Sequence, residues 1–165
     1  MSLPPGRPAT SIVAATKPED IAAVVVLFRA YAASLAVDLA YQNFEAEMQA
    51  MPGAYAPPSG ALLIARGAGD EPLGAVALRP MAETGRCEMK RLYVSPAGRG
   101  RRVGERLVNE LAATALRIGY REMWLDTLPG MVAAQALYHR LGFEVTAPYY
   151  LTPVAGTVFM RRMLG

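Results

Sequence analysis

One cysteine and one histidine are all that 165 residues provide, and each shortage excludes something. Cys87 has no partner for an internal disulfide. His139 has no second histidine beside it, so no recognisable zinc set can be assembled and no metal is expected. No apolar run approaches the roughly 18 residues that a membrane-spanning helix needs; IAAVVVLF at 21–28 is among the longest. A soluble protein with no membrane partner is therefore expected. The opening MSLPPGRPAT lacks the basic n-region and apolar h-region of a signal peptide. Residues 1–10 are expected to be a flexible leader, and a reducing cytoplasm is the expected location.

The length suits one domain, here 11–165, with enough chain to bury a core without staples. SIVAAT at 11–16 has the character of a first strand. Pro18, Glu19 and Asp20 give the Pro-then-acid opening of a helix running to about Leu35. A shorter helix is expected over 42–51, followed by a loop at 51–60, where three prolines and two glycines stop regular structure. ALLIAR (61–66) and LGAVALRP (73–80) flank turn residues as an antiparallel hairpin does, and CEMKRLYV (87–94) extends it to a meander. From Val103 the period changes to that of a helix, which Gly119 ends. A strand at 123–126, a helix at 131–142 with Gly142 as its C-terminal signal, and strands at 143–145 and 157–163 complete the order. That order predicts a mixed α+β domain, a sheet covered by helices.

The formal net charge of +3 is modest, but Arg99, Arg101, Arg102 and Arg106 crowd into one short segment. That segment, RLYVSPAGRGRRVGERLV (91–108), is a strand, a Gly- and Arg-rich turn and the start of a helix. No Ser, Thr, Asp or Asn stands just before Val103 to cap the helix, so its first N–H groups lack an obvious acceptor. Arginines there also oppose the positive end of the helix dipole. A phosphate-bearing ligand at that point resolves both difficulties. It is not held by a Walker loop, because no GK[ST] triplet is present. Gly98, Gly100 and Gly104 approximate a dinucleotide fingerprint, with Asp126 near the position of a ribose-binding acid. The antiparallel strands before the loop count against that reading. Nucleic acid is not an expected partner, since no aromatic residues interleave the arginines as stacking platforms.

Two segments resemble the GNAT superfamily of N-acetyltransferases. Its pyrophosphate arm, R/Q-x-x-G-x-G/A after an LYV-like strand and a proline, is matched by Arg99 and Gly104, with Arg102 in place of the first glycine. Its A-x-x-L-Y-x-x-x-G-F segment is matched by AAQALYHRLGF (133–143), with Met131 where the family often has asparagine. The resemblance implies an α/β fold of GNAT type, with a mostly antiparallel mixed sheet of about six or seven strands flanked by about four helices. It implies acetyl-CoA as acetyl donor, held by the backbone of Arg99, Gly100, Arg101, Arg102, Val103 and Gly104. It also implies that Leu92, Tyr93 and Val94 pair with the pantetheine as an added strand would.

The family's general acid falls on Tyr138, and the strand glutamate that some members use as general base falls on Glu88. By strand alternation Glu88 is expected on the side of Leu92 and Val94. The plainer readings are a core tyrosine and a solvated glutamate paired with Lys90 or Arg91. His139 is expected on the surface, and Cys87 as a small buried hydrophobe. Tyr41, Phe44, Tyr149 and Tyr150 either line the acceptor pocket or pack loops onto the core. Arg102 is expected to take right-handed helical angles. The implied function is direct transfer of acetyl to a primary amine of a small molecule or peptide in a ternary complex. A non-catalytic acyl-CoA-binding module is the rival, and a homodimer is left open.

Overall fold

A computed structural model describes residues 10–165; of the expected leader at 1–10, residues 1–9 lie outside the described residues. Seven strands form one sheet: β1 (Ser11–Ala14), β2 (Ala61–Arg66), β3 (Pro72–Pro80), β4 (Arg86–Val94), β5 (Glu122–Thr127), β6 (Glu144–Thr146) and β7 (Val158–Met163). Their spatial order is β1-β2-β3-β4-β5-β7-β6. Every neighbouring pair is antiparallel except β4 and β5. That parallel pair needs a crossover, which is α3 (Val103–Ile118).

Helices cover both faces. α1 (Pro18–Ser34) and α2 (Phe44–Gln49) supply Val24, Phe28, Phe44 and Met48 to a cluster with Leu62, Ile64, Ala75 and Ala77. α3 and α4 (Val132–Arg140) supply Leu107, Leu111 and Tyr138 to a cluster with Leu63, Val76, Met123 and Leu125 on the other face. Because both faces are covered, β2 is buried from Ala61 through Ala65. It therefore reads as a continuous apolar run rather than an alternating one. α1 has Pro18 in its first turn with Glu19 and Asp20, and α3 ends at Gly119 with φ 117°, both as the sequence predicts. α2 is shorter than expected: a 3₁₀ turn at Leu39–Gln42 ends on Asn43 at φ 56°, a left-handed angle that asparagine tolerates. Among the described residues, no helix is long and apolar enough to cross a membrane.

One irregularity positions everything that follows. Ala75 of β3 pairs with Tyr93 and Ala77 with Lys90, so Val76 alone opposes both Arg91 and Leu92. This is a β-bulge, with Arg91 at φ 64°. The extra residue reverses the alternation. Lys90, like Glu88, lies on the α1/α2 face, where it reaches Gln42, while Leu92 and Val94 pack into the α3 cluster. The expectation that Glu88 shares a side with Leu92 and Val94 is therefore wrong, because strict period-2 counting fails across a bulge. The strands also part company. β4 pairs with β5 only from Arg86 to Glu88, against Glu122 to Trp124, which leaves a cleft between their C-terminal halves.

Cys87 is fully buried, its Sγ 3.4 Å from the Glu122 carbonyl oxygen. Burial pushes the thiol pKa up to about 12, so almost no thiolate exists near neutrality, and the thiolate is the reactive form. Iodoacetamide at pH 8 is expected to leave the native thiol unmodified while labelling it fully in denaturant, as read by intact mass. Equal labelling of the native protein would contradict the buried position.

Candidate active site

A line of cavities runs through the cleft. At one end, Arg99, Gly100, Arg102, Gly104 and Arg140 surround the start of α3. The next cavity shares Arg99, Gly104 and Leu137 with it and extends past Val94 and Leu92 to Tyr31 and Met131. The third shares Tyr31, Leu92 and Met131, and adds Tyr138, Thr127, Asp126 and Lys90. The fourth shares Gln42, Lys90 and Arg91, and opens past Glu88 and Arg79 to Tyr41, Tyr149 and Tyr150. Adjacent cavities thus share walls from the arginine-rich turn to the tyrosine-lined mouth.

The turn at the first end has the features of an anion site. Arg102 is the N-cap of α3 and makes no capping side-chain bond. The helical ladder opens with the Arg106 N–H on the Arg102 carbonyl at 3.1 Å, so the N–H groups of Val103, Gly104 and Glu105 precede it and face outward. A Cβ on Gly104 would come no closer than 3.5 Å to Leu137 and Val94, so its glycine leaves open room rather than relieving a clash. Gly98 differs, since a Cβ there would meet the Leu73 carbonyl at 2.8 Å, and its role is packing. Arg106 is also accounted for: its Nη1 donates to the Thr10 carbonyl at 3.0 Å.

Arg102 corrects an expectation. It adopts φ 57° and ψ 26°, the left-handed conformation and not the right-handed one. The turn has already used Gly100 at φ 76°, and Arg102 must reverse the chain again before the helix starts. Its side chain is exposed, so only local strain opposes this, about 1–2 kcal/mol. The backbone keeps the conformation that a glycine would adopt there.

Tyr138 is buried against Phe143, ring centroids 5.7 Å apart. It borders the third cavity with Tyr31 and Asp126. Burial first, then the nearby Tyr31 and Asp126, push its pKa well above the usual phenol range, so the hydroxyl keeps its proton at any physiological pH. Thr127 Oγ1 is buried at the same cavity with no protein partner among the described residues.

Two carboxylates stand between the third and fourth cavities. Glu88 Oε1 accepts from Arg79 Nε at 2.7 Å, and its Oε2 accepts from the Tyr149 hydroxyl at 2.5 Å. Its partner is thus the cross-strand Arg79 and not Lys90 or Arg91. Asp126 Oδ2 accepts from the Tyr150 hydroxyl at 2.7 Å, and its Oδ1 lies 3.4 Å from Lys90 Nζ. Arg91 donates to Glu47 at 3.1 Å and to Gln42 at 2.6 Å, over the ring of Phe44 at 5.1 Å.

The sequence profile of the Acetyltransferase (GNAT) family matches residues 28–143. The chain belongs to the GNAT acetyltransferase family. An uncharacterized N-acetyltransferase of Schizosaccharomyces pombe is 40% identical over 151 residues, 92% of this chain and 93% of that protein. The GNAT fold is shared with an acetyltransferase of Staphylococcus aureus Mu50 (TM-score 0.79, 16% identity, 95% of this chain and 100% of that one). It is shared as well with the PaiA N-acetyltransferase of Thermoplasma acidophilum, solved in complex with coenzyme A (TM-score 0.73, 16% identity, 94% and 99%). The chain is accordingly an acyltransferase, and the dinucleotide reading falls.

Within this GNAT chain the structure brings Tyr138, Leu92, Tyr93, Val94, Arg99, Gly100, Arg102, Val103 and Gly104 to one connected groove. Arg101 lies in the same turn between Gly100 and Arg102. Glu88 sits further along, at the fourth cavity. Tyr41, Tyr149 and Tyr150 line that cavity too, whereas Phe44 is core. His139 is exposed and Cys87 buried, as expected. Sequence reasoning missed Arg79 and Tyr31; it named Asp126 only under the dinucleotide reading and Lys90 only as a partner for Glu88. The available signal was a charge inside an otherwise apolar strand, which Lys90 and Asp126 give as clearly as Glu88 does.

The strain at Arg102 is testable. Arg102→Gly removes the left-handed penalty but adds freedom to the unfolded chain. A net gain of up to about 1 kcal/mol is expected in urea unfolding of the free protein. A loss of stability would show that the arginine side chain holds the turn.

Proposed function

We propose that the protein transfers acetyl from acetyl-CoA directly to a primary amine of a small molecule or peptide, with both substrates bound at once. The observation that carries this is the unbroken groove from an uncapped helix start to a mouth flanked by carboxylates. The fit to the cofactor rests on three features of the groove. The first-turn N–H groups of α3 are free for a pyrophosphate, whose charge the helix dipole favours. Gly104 leaves the close approach open. Thr127 Oγ1 is a buried hydroxyl with no protein partner among the described residues, and such a group needs one. The coenzyme A bound by the Thermoplasma neighbour supports the assignment.

Acetyl-CoA supplies an activated thioester; the residues supply position and protons. Arg99 to Gly104 hold the phosphate end, and the backbone of Leu92, Tyr93 and Val94, freed from β5 by the bulge, offers strand-like bonds to the pantetheine. Tyr138 holds a proton on its hydroxyl beside the third cavity and gives it to the departing thiolate. Glu88 takes the proton of the acceptor amine through water. A second reading gives that task to Asp126, favoured because Asp126 shares its cavity with Tyr138 while Glu88 does not.

Acetyl-CoA is expected to raise the melting temperature markedly while NADPH does not; stabilisation by NADPH alone would sink the proposal. Tyr138→Phe is expected to lower turnover by about 10²-fold or more with acetyl-CoA affinity nearly kept, and unchanged turnover would return Tyr138 to the core.

Glu88→Gln and Asp126→Asn separate the two bases by their pH profiles. Losing the true base costs most at low pH, where the unassisted amine is protonated. A parallel drop at every pH marks a positioning role instead.

A further inference from the structure

The tyrosine-lined mouth also bears on which amine is used, on the transferase reading given above. We propose that the acceptor carries a carboxylate close to its amine, as a free amino acid does, and that Arg79 binds it.

The charges at this cavity are mostly paired. Its lining includes the cations Arg79, Lys90 and Arg91 against the anions Glu83 and Glu88. Glu83 is directed elsewhere, 4.0 Å from Arg86. Lys90 and Arg91 are answered by Asp126 and Glu47, so an acceptor that brings its own anion must find it a cation with donors still to offer.

The three cations are not equivalent. The side chains of Lys90 and Arg91 are only 6% and 3% exposed and are tied to Asp126 and Glu47. That of Arg79 is 37% exposed and commits only its Nε, to Glu88. Its two Nη nitrogens have no protein acceptor among the described residues. A guanidinium fixed along one edge presents its remaining donors in a planar fork, the geometry that takes a carboxylate by two parallel bonds. The anchor is itself fixed, because the other Glu88 oxygen is held by Tyr149. An amine next to the bound carboxylate then lies near Glu88, the residue placed to receive its proton.

The test is CoA release from acetyl-CoA with matched acceptors: free amino acids, the same compounds as carboxamides, and polyamines. The free acids are expected to have kcat/KM at least about 10-fold above their carboxamides, mainly through KM. Arg79→Lys keeps a charge for Glu88 but loses the fork. In that variant the acid-over-amide ratio is expected to fall toward one, with the KM for the acid rising more than its kcat falls. Carboxamides or polyamines used as well as the acids would overturn this inference and leave the transferase reading standing, as would an unchanged ratio in Arg79→Lys. No CoA release with any amine, despite a thermal shift with acetyl-CoA, would overturn both.

Discussion

The bulge at Arg91 is the feature on which the rest of the groove depends. Without it, β4 would continue beside β5 and their parallel ladder would close the cleft. With it, the ladder stops after three residue pairs, and the C-terminal half of β4 keeps backbone groups free at its edge. A non-glycine residue at φ 64° is strained by about 1–2 kcal/mol and persists only if its surroundings hold it. Here they do so through the side chain. Glu47, Gln42 and the Phe44 ring all grip the Arg91 guanidinium. α2 and the turn before it therefore act as the clamp that keeps the sheet open.

The same economy of pairing governs the acceptor end. Glu88, Lys90, Arg91 and Asp126 are nearly buried, and each has an opposite charge as partner. In such surroundings the pairs add little net stability, but removing one partner strands the other at a cost of about 3–5 kcal/mol. The arrangement thus specifies geometry more than it stabilises the fold. Tyr149 and Tyr150 extend it beyond the sheet, since their hydroxyls donate to Glu88 and Asp126 while their rings pack edge-on against Phe159.

The donor half of the site was legible because it is local. Residues 91–104 and 131–143 are two continuous segments, so their resemblance to the GNAT motifs could be read along the chain, and the fold brings both to one groove. Strand and helix limits followed the apolar periods closely, as at Ala61–Arg66 and Val103–Ile118. What was not legible depended on three-dimensional context. Period-2 counting put Glu88 on the wrong side because nothing in CEMKRLYV announces a bulge. Arg102 was expected in right-handed angles because arginine prefers them, whereas the turn's closure required the left-handed ones and solvent exposure let the side chain accept them.

The acceptor half resists sequence reading for a deeper reason. Its walls come from Tyr41 and Gln42, from β3 and β4, and from the loop bearing Tyr149 and Tyr150, with Asp126 joined to them through Lys90 and Tyr150. No fixed spacing relates these segments; what relates them is complementary charge and ring packing across the end of the sheet. The loop before β7 has few backbone bonds to the rest of the protein. Two hydroxyl-to-carboxylate bonds and the aromatic contacts fix it in place. This wall of the cavity is therefore held by two carboxylates of the sheet, Glu88 and Asp126, through the strong bonds that hydroxyls make to such groups. On the function proposed above, acceptor binding and the order of this wall are coupled through residues that no linear motif connects.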